Sequence, residues 1–122
     1  MKRAKTSESR EKARLLLQAC LEKQARDPLV LDLRNSGIIW DYSIFVTSTS
    51  LPHANAIVDQ ILSVAKQKGF TLHHVERDED GGWVLIDYVD VIFNVFSQEK
   101  REFYKLERLF KDAKKVRFRF RK

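Results

Sequence analysis

A chain of 122 residues, 43% apolar and 33% charged, can close one modest core and is too apolar for wholesale disorder. No apolar run approaches the roughly 20 residues of a membrane-spanning helix, and the basic start is not followed by a signal-peptide cleavage pattern. A single cysteine, Cys20, excludes a disulfide framework and a cysteine-rich zinc site.

These features predict a soluble intracellular protein. The net charge of +6 is unevenly spread: +4 over residues 1–14, −4 over 15–110 and +6 over 111–122. A mildly acidic body with two basic ends suits a basic partner surface, while the ends either touch a phosphate backbone or simply aid solubility.

Taken in order, residues 7–26 show a helical pattern, with Ala13, Leu16, Leu17, Cys20, Leu21 and Gln24 on one face. Thr6, Ser7 and Ser9 are each able to cap its start, and Asp27-Pro28 reads as its end. A strand follows over 29–34, then a turn at Asn35-Ser36-Gly37, then an aromatic and β-branched strand over 42–48. Serine and threonine before Pro52 mark the start of a second helix, with Ile57, Ile61, Leu62 and Ala65 as its buried stripe and Gly69 just past its end. Residues 70–77 are a third strand candidate, closed by the loop DEDGG at 78–82.

The stretch 83–110 organises the rest. WVLIDY and VIFNVF, at 83–88 and 91–96, are apolar on both faces and predict strands covered on both sides. A last helix runs from Ser97 to Phe110, with Phe103, Leu106 and Phe110 facing the core. The expected fold is α/β (α+β): one mixed five-stranded sheet packed by helices, in which the segment 46–75 is long enough for a crossover that makes at least one strand pair parallel. The expected domain spans 1–110, with a basic tail at 111–122 that is disordered or bound to RNA.

Chemistry is thinly supported. A nucleotide-transfer site would use VTSTS at 46–50 and carboxylates such as Asp78, Asp80, Asp87 and Asp90 to hold magnesium. The loop lacks the glycine and lysine of a phosphate cradle, and the same residues serve as N-cap and turn. His73 and His74 are adjacent, so on a strand they should face opposite ways, and no metal site is expected; His53 reads as a hydrogen-bonding residue. Cys20 lies on an apolar stripe and reads as an inert thiol. Trp83 and Tyr104 have the character of interface anchors, and Trp83 is expected at a sheet edge.

Several blocks then occur in a telling order: LDLR with a following DY-hydrophobic run (31–46), TSTS-x-x-H (47–53), Glu76, W-x-L-x-DYxDV (83–91) and VFSQEKREFYKLERLF (95–110). Together, over roughly residues 10–110, they resemble the ribosomal silencing factor, or Iojap-like, family. The resemblance implies a nucleotidyltransferase-related scaffold without its catalytic site and without cofactor. It also implies a bacterial cytoplasmic protein, with an organellar homologue as the alternative setting. Such proteins bind large-subunit ribosomal protein fourteen, block joining of the small subunit and lower translation when nutrients are scarce, often as homodimers. The partner-facing set it implies is Trp83, Asp87, Tyr88, Asp90, Phe93, Tyr104 and Glu107. Arg117, Arg119 and Arg121, interleaved with phenylalanine, are candidate ribosomal RNA contacts. The alternatives are a metal-dependent nucleotidyltransferase and a general RNA-binding module. Ser48, Pro52 and Val89 depart from the family's usual glycine, arginine and glycine, and valine suits a tight hairpin turn badly.

Overall fold

The computed structural model describes residues 2–118 and 120, and for residues 2–7, Glu107 and Leu109 the backbone alone. Its elements in chain order are α1 (Lys2–Leu21), β1 (Arg26–Asp32), β2 (Tyr42–Ser48), α2 (Leu51–Gln67), β3 (His74–Arg77), β4 (Trp83–Asp87), β5 (Val91–Ser97), α3 (Gln98–Tyr104), α4 (Leu106–Leu109) and β6 (Lys114–Val116). Six strands, one more than expected, form a single mixed sheet in the order β3-β4-β5-β2-β1-β6.

The parallel pair is β2–β5, in register from Tyr42↔Val91 to Ser48↔Ser97. All the other pairs are antiparallel. The chain leaves β2 through α2, lays down the β3–β4 hairpin and returns through β5. β4 therefore lies inside the sheet, so Trp83 opens an inner strand rather than the expected edge.

One face of the sheet is sealed. Ile44, Val46, Ile86, Phe93 and Val95 meet Leu16, Leu17 and Cys20 of α1 and Ile57, Val58 and Ile61 of α2 in one buried cluster. α2 starts where the sequence placed it: the Ser50 hydroxyl accepts the His53 N–H at 3.1 Å, and Pro52 sits in the first turn. It also ends there, for Gly69 takes φ +74° and the Phe70 N–H returns to the Ala65 carbonyl at 2.9 Å.

α1 stops five residues short of the expected end. Gln24 takes φ +62°, and the Ala25 N–H donates to the Cys20 carbonyl at 3.2 Å. This is the same left-handed closure as at Gly69, made by a residue type that gives no signal for it. Asp27-Pro28 instead forms a bulge in β1, where the register slips between Arg26 and Leu29 and Asp27 has φ +49°. A proline is tolerated there because a bulge leaves an N–H unpaired.

The supposed tail is part of the fold. β6 pairs with β1 from Val30↔Val116 to Asp32↔Lys114, and Phe118 and Phe120 pack against the core cluster, with Arg10 over the Phe118 ring at 5.0 Å. Asp32 ties the β1 end together. Its carboxylate takes Arg34 Nε at 2.8 Å and Nη2 at 2.6 Å, with Lys114 Nζ 3.8 Å away.

The Arg34 guanidinium holds the Asp32 carboxyl below the usual carboxylate range. A depressed folded pKa stabilises above the unfolded value and stops doing so as pH falls through the lowered one. Asp32→Asn should therefore cost about 1–2 kcal/mol at neutral pH. In urea melts, the gap from wild type should close as pH drops below about 4.

Candidate functional site

The second face of the sheet is only partly covered. Its floor is Ser43 and Phe45 of β2, Ile92, Asn94 and Phe96 of β5, and Trp83 and Leu85 of β4, all at alternate positions on their strands. Tyr104, Leu106, Phe110 and Trp40 form the walls of a cavity of about 290 Å³ whose lining is almost wholly apolar.

The aromatic rings form a connected series. Trp83 stacks on Phe96 at 5.1 Å, Tyr104 leans on Trp83 at 5.4 Å and on Phe96 at 6.0 Å, and Phe45 lies between Phe96 (6.2 Å) and Phe110 (5.6 Å). Offset or tilted pairs at these separations are individually favourable. One buried amide orients the centre. Trp83 Nε1 donates to Asn94 Oδ1 at 3.1 Å, and Asn94 Nδ2 donates to the Ile44 carbonyl at 3.2 Å. The indole is thereby fixed in orientation and remains half-buried at the cavity.

The cover is incomplete because the last helix breaks. α3 is capped by Ser97, whose hydroxyl accepts the Lys100 N–H at 3.1 Å, and ends at Lys105 with φ +50°. The single helix expected from Ser97 to Phe110 is interrupted at that residue. Leu106 and Phe110 face the sheet as expected, but Phe103 does not: it is 76% exposed and stands edge-on to Tyr104 at 5.2 Å. Arg101, not singled out from sequence, is buried, with Nη1 on the Asp27 carbonyl at 2.6 Å and on Thr47 Oγ1 at 3.0 Å. It ties α3 to the β1 bulge.

The sequence-derived partner set falls into three groups. Trp83 and Tyr104 lie together on the open face. Tyr88 and Phe93, at 1% and 0% exposure, point into the sealed core, so neither touches a partner without unfolding; burial pushes the Tyr88 phenol up to about 12. Asp87 and Asp90 sit at the far end of β4. Asp90 pairs with Lys12 of α1 at 2.6 Å, and Asp87 is buried. The Glu107 side chain lies outside the described residues, as do Arg119 and Arg121, while Arg117 is exposed. Phe118 and Phe120 pack against the core rather than standing free for base stacking. Sequence reasoning missed Phe45, Leu85 and Trp40 as lining; the alternation around Phe45 and Leu85 was the available signal.

The components of a nucleotidyl-transfer site are not brought together. Ser48 lies level with Ser97, whereas Asp87 lies level with Ile92, five residues or roughly 17 Å along the sheet. Asp80 lines the same pocket as Ser48, but Lys100 stands 3.4 and 3.8 Å from the Asp78 and Asp80 carboxylates, and the Trp83 and Gly82 N–H groups donate to them. His53 is a structural tie: its Nδ1 accepts the Thr49 N–H at 2.9 Å, and Nε2 meets the Lys23 carbonyl at 2.7 Å. Burial pushes the Cys20 thiol up, and its Sγ donates to the Leu17 carbonyl. Among the described residues no helix is long and apolar enough to cross a membrane.

Fold and site together define an α+β domain with one sealed sheet face and one aromatic face left open. The chain belongs to the ribosomal silencing factor family: the family described as "Ribosomal silencing factor during starvation" matches residues 6–122, so the match includes the tail that the motif blocks left out. It is 34% identical over 95 residues to the ribosomal silencing factor RsfS of Bacillus subtilis, covering 78% of this chain and 80% of that protein. It is also 27% identical over 105 residues to the chloroplastic protein Iojap of Zea mays, covering 86% of this chain and 46% of that longer protein. Among solved structures it resembles a protein from Chromobacterium violaceum, with TM-score 0.78, 25% identity and 92% of both chains covered. A Bacillus halodurans protein gives TM-score 0.76 and 29% identity, covering 89% of this chain and 99% of that one.

The β4–β5 hairpin turns at Val89 without a glycine. Val89 takes φ +77°, the Asp90 N–H donates to the Tyr88 carbonyl at 2.9 Å, and Asp87 Oδ1 accepts the Val89 N–H at 2.8 Å. The positive φ and the i→i+2 bond from Asp90 to Tyr88 make a γ-turn centred on Val89, of the rare and strained kind. The Asp87 carboxylate pins a conformation that valine resists. Val89 is 53% exposed and loses little packing on truncation. Val89→Gly should therefore raise stability by about 1 kcal/mol, read as an increased urea midpoint, whereas Val89→Ile should not.

Proposed function

We propose that the protein silences translation by docking its open aromatic face on large-subunit ribosomal protein fourteen, where its bulk blocks joining of the small subunit. The observation that carries this reading is the uncovered cavity around Trp83, Tyr104 and Phe110, beside the exposed ring of Phe103. A contiguous aromatic patch of this kind is an interface signature, because tyrosine and tryptophan bury much area at little entropic cost. The charge favours a basic partner: residues 15–110 carry a net −4, and Glu76 and Asp78, with Arg77 between them, stand beside Trp83 and Leu85. Acidic rim charges speed encounter and set orientation, while the aromatic centre supplies most of the affinity. Family membership in the silencing factors supports the reading, and steric exclusion needs no chemistry.

Sucrose-gradient sedimentation with purified subunits tests it. The protein should comigrate with the large subunit and suppress joining; joining that proceeds unchanged at saturating protein would sink the proposal. Phe103→Ala with Tyr104→Ala should weaken subunit binding at least tenfold, equivalent to about 1.4 kcal/mol, with an unchanged circular-dichroism spectrum. Phe93→Ala should instead unfold or destabilise the protein by about 3–5 kcal/mol, as a core truncation does. Light scattering on the same samples checks the homodimer implied by the family resemblance.

A further inference from the structure

At the far end of β4 from the Trp83 cluster, three potential metal ligands converge. The coordinating atoms of His73, His74 and Asp87 all lie within 4.8 Å of one another. His73 Nδ1 is 3.3 Å from Asp87 Oδ2, His74 Nδ1 is 3.3 Å from His73 Nδ1, and His74 Nδ1 is 3.9 Å from Asp87 Oδ2. In a tetrahedral site with bonds of about 2.0–2.1 Å, ligand atoms stand about 3.3–3.4 Å apart. Two edges already match, and closing the third takes a movement of roughly 0.5 Å.

The adjacent histidines were expected to face opposite ways, and the reason they do not is local. β3 begins at His74, so His73 precedes the strand and escapes its alternation. The His73 N–H donates to the Asp87 carbonyl at 2.8 Å, and His74 is the cross-strand partner of Asp87. Asp87 is held more firmly still. It is 7% exposed, and its Oδ1 is committed to the Val89 N–H, which leaves Oδ2 for the imidazoles. The two rings are accessible from solvent.

Charge and softness indicate the class of ion. Two neutral Nδ1 atoms 3.3 Å apart share at most one proton, whereas a cation accepts a lone pair from each. Two imidazoles and one carboxylate suit zinc and its transition-metal neighbours, and suit magnesium or calcium poorly. Glu76 adds an outer partner, with Oε2 3.8 Å from His74 Nε2, the ring nitrogen left over when Nδ1 is a ligand. A carboxylate on the second nitrogen is the usual support of a metal-bound histidine.

We propose that His73 Nδ1, His74 Nδ1 and Asp87 Oδ2 bind one divalent transition ion of the zinc type, with Glu76 orienting His74 and a further coordination position open to solvent. The site lies on the β3–β4 hairpin, so the bound ion clamps the edge strand of the sheet. None of the three ligands lines the aromatic cavity, and the site shares only Glu76 with the docking reading.

The test is titration of the metal-free full chain with Co(II), followed by visible absorption, and with Zn(II), followed by calorimetry. One ion per chain and intense tetrahedral Co(II) bands are expected. His73→Ala and His74→Ala should each abolish the bands and weaken Zn(II) binding by more than the roughly 10–100-fold lost with an outer partner. Glu76→Gln should weaken it about tenfold. His53→Ala should change nothing, and Zn(II) should raise the melting temperature of wild type but not of the two histidine variants. The two histidines are exposed, so these variants keep the fold, whereas Asp87 also supports the Val89 turn and is the poorer probe. The proposal is overturned by absent Co(II) bands and Zn(II) heat in wild type, by half an ion per chain, or by wild-type affinity in the His73→Ala/His74→Ala double variant.

Discussion

The seven-residue parallel register of β2 with β5 is the constraint on which the rest of the molecule depends. Parallel neighbours cannot be joined by a tight turn, so the chain between them must leave the sheet and return. Here the excursion contains α2 and the β3–β4 hairpin. α2 falls on one face, where it meets α1 and closes the core. The hairpin extends the sheet beyond β5, so that β5 becomes central and six of its seven residues are buried. Because β5 ends level with β2, the chain emerging at Ser97 is delivered beside Ser48, and α3 can turn back only over the remaining face.

That second face receives less cover than the first, for a local reason. A continuous helix from Ser97 to Phe110 would carry one stripe along its whole length. The left-handed Lys105 rotates the stripe instead: Leu106 and Phe110 are directed to the sheet while Phe103 is left outside. Arg101 anchors the first half of the helix through its bond to Thr47, so the break cannot relax by sliding. The open cavity is thus a consequence of backbone geometry at Lys105 and of the buried Arg101 four residues before it.

Much of this was legible in the sequence, and the failures have a common cause. The β4–β5 runs, the α2 cap at Ser50 and its end at Gly69 were all readable, because each depends on residue types with one strong local preference. Gln24, Asp27, Val89 and Lys105 all hold positive φ without being glycine. Gln24, Asp27 and Lys105 each displaced an element boundary or a side-chain face that the residue pattern presents as continuous, whereas Val89 lies in the turn that the two runs already bracket. β6 was hidden differently: a three-residue strand with two lysines reads as tail, although charged short strands are the normal way to finish a sheet edge. At the site, Trp83 and Tyr104 were recognised from residue type, but Phe93 and Tyr88 share their chemistry and lie on the opposite face. Residue identity indicates what a side chain can do, and strand parity decides where it does it. The His73–His74 pair shows the converse, since parity misleads one residue before the strand begins.

The chain has two tryptophans, Trp40 and Trp83, and both line the open cavity. Intrinsic fluorescence of this protein is therefore a reading of a single surface. Emission from these indoles follows the wetness of that cavity and is nearly blind to the sealed side, so anything seated on the aromatic face reports itself optically without a label. By the same token, fluorescence and circular dichroism melts compare the aromatic face with the whole backbone, and coincident curves mark one cooperative transition of both sheet faces.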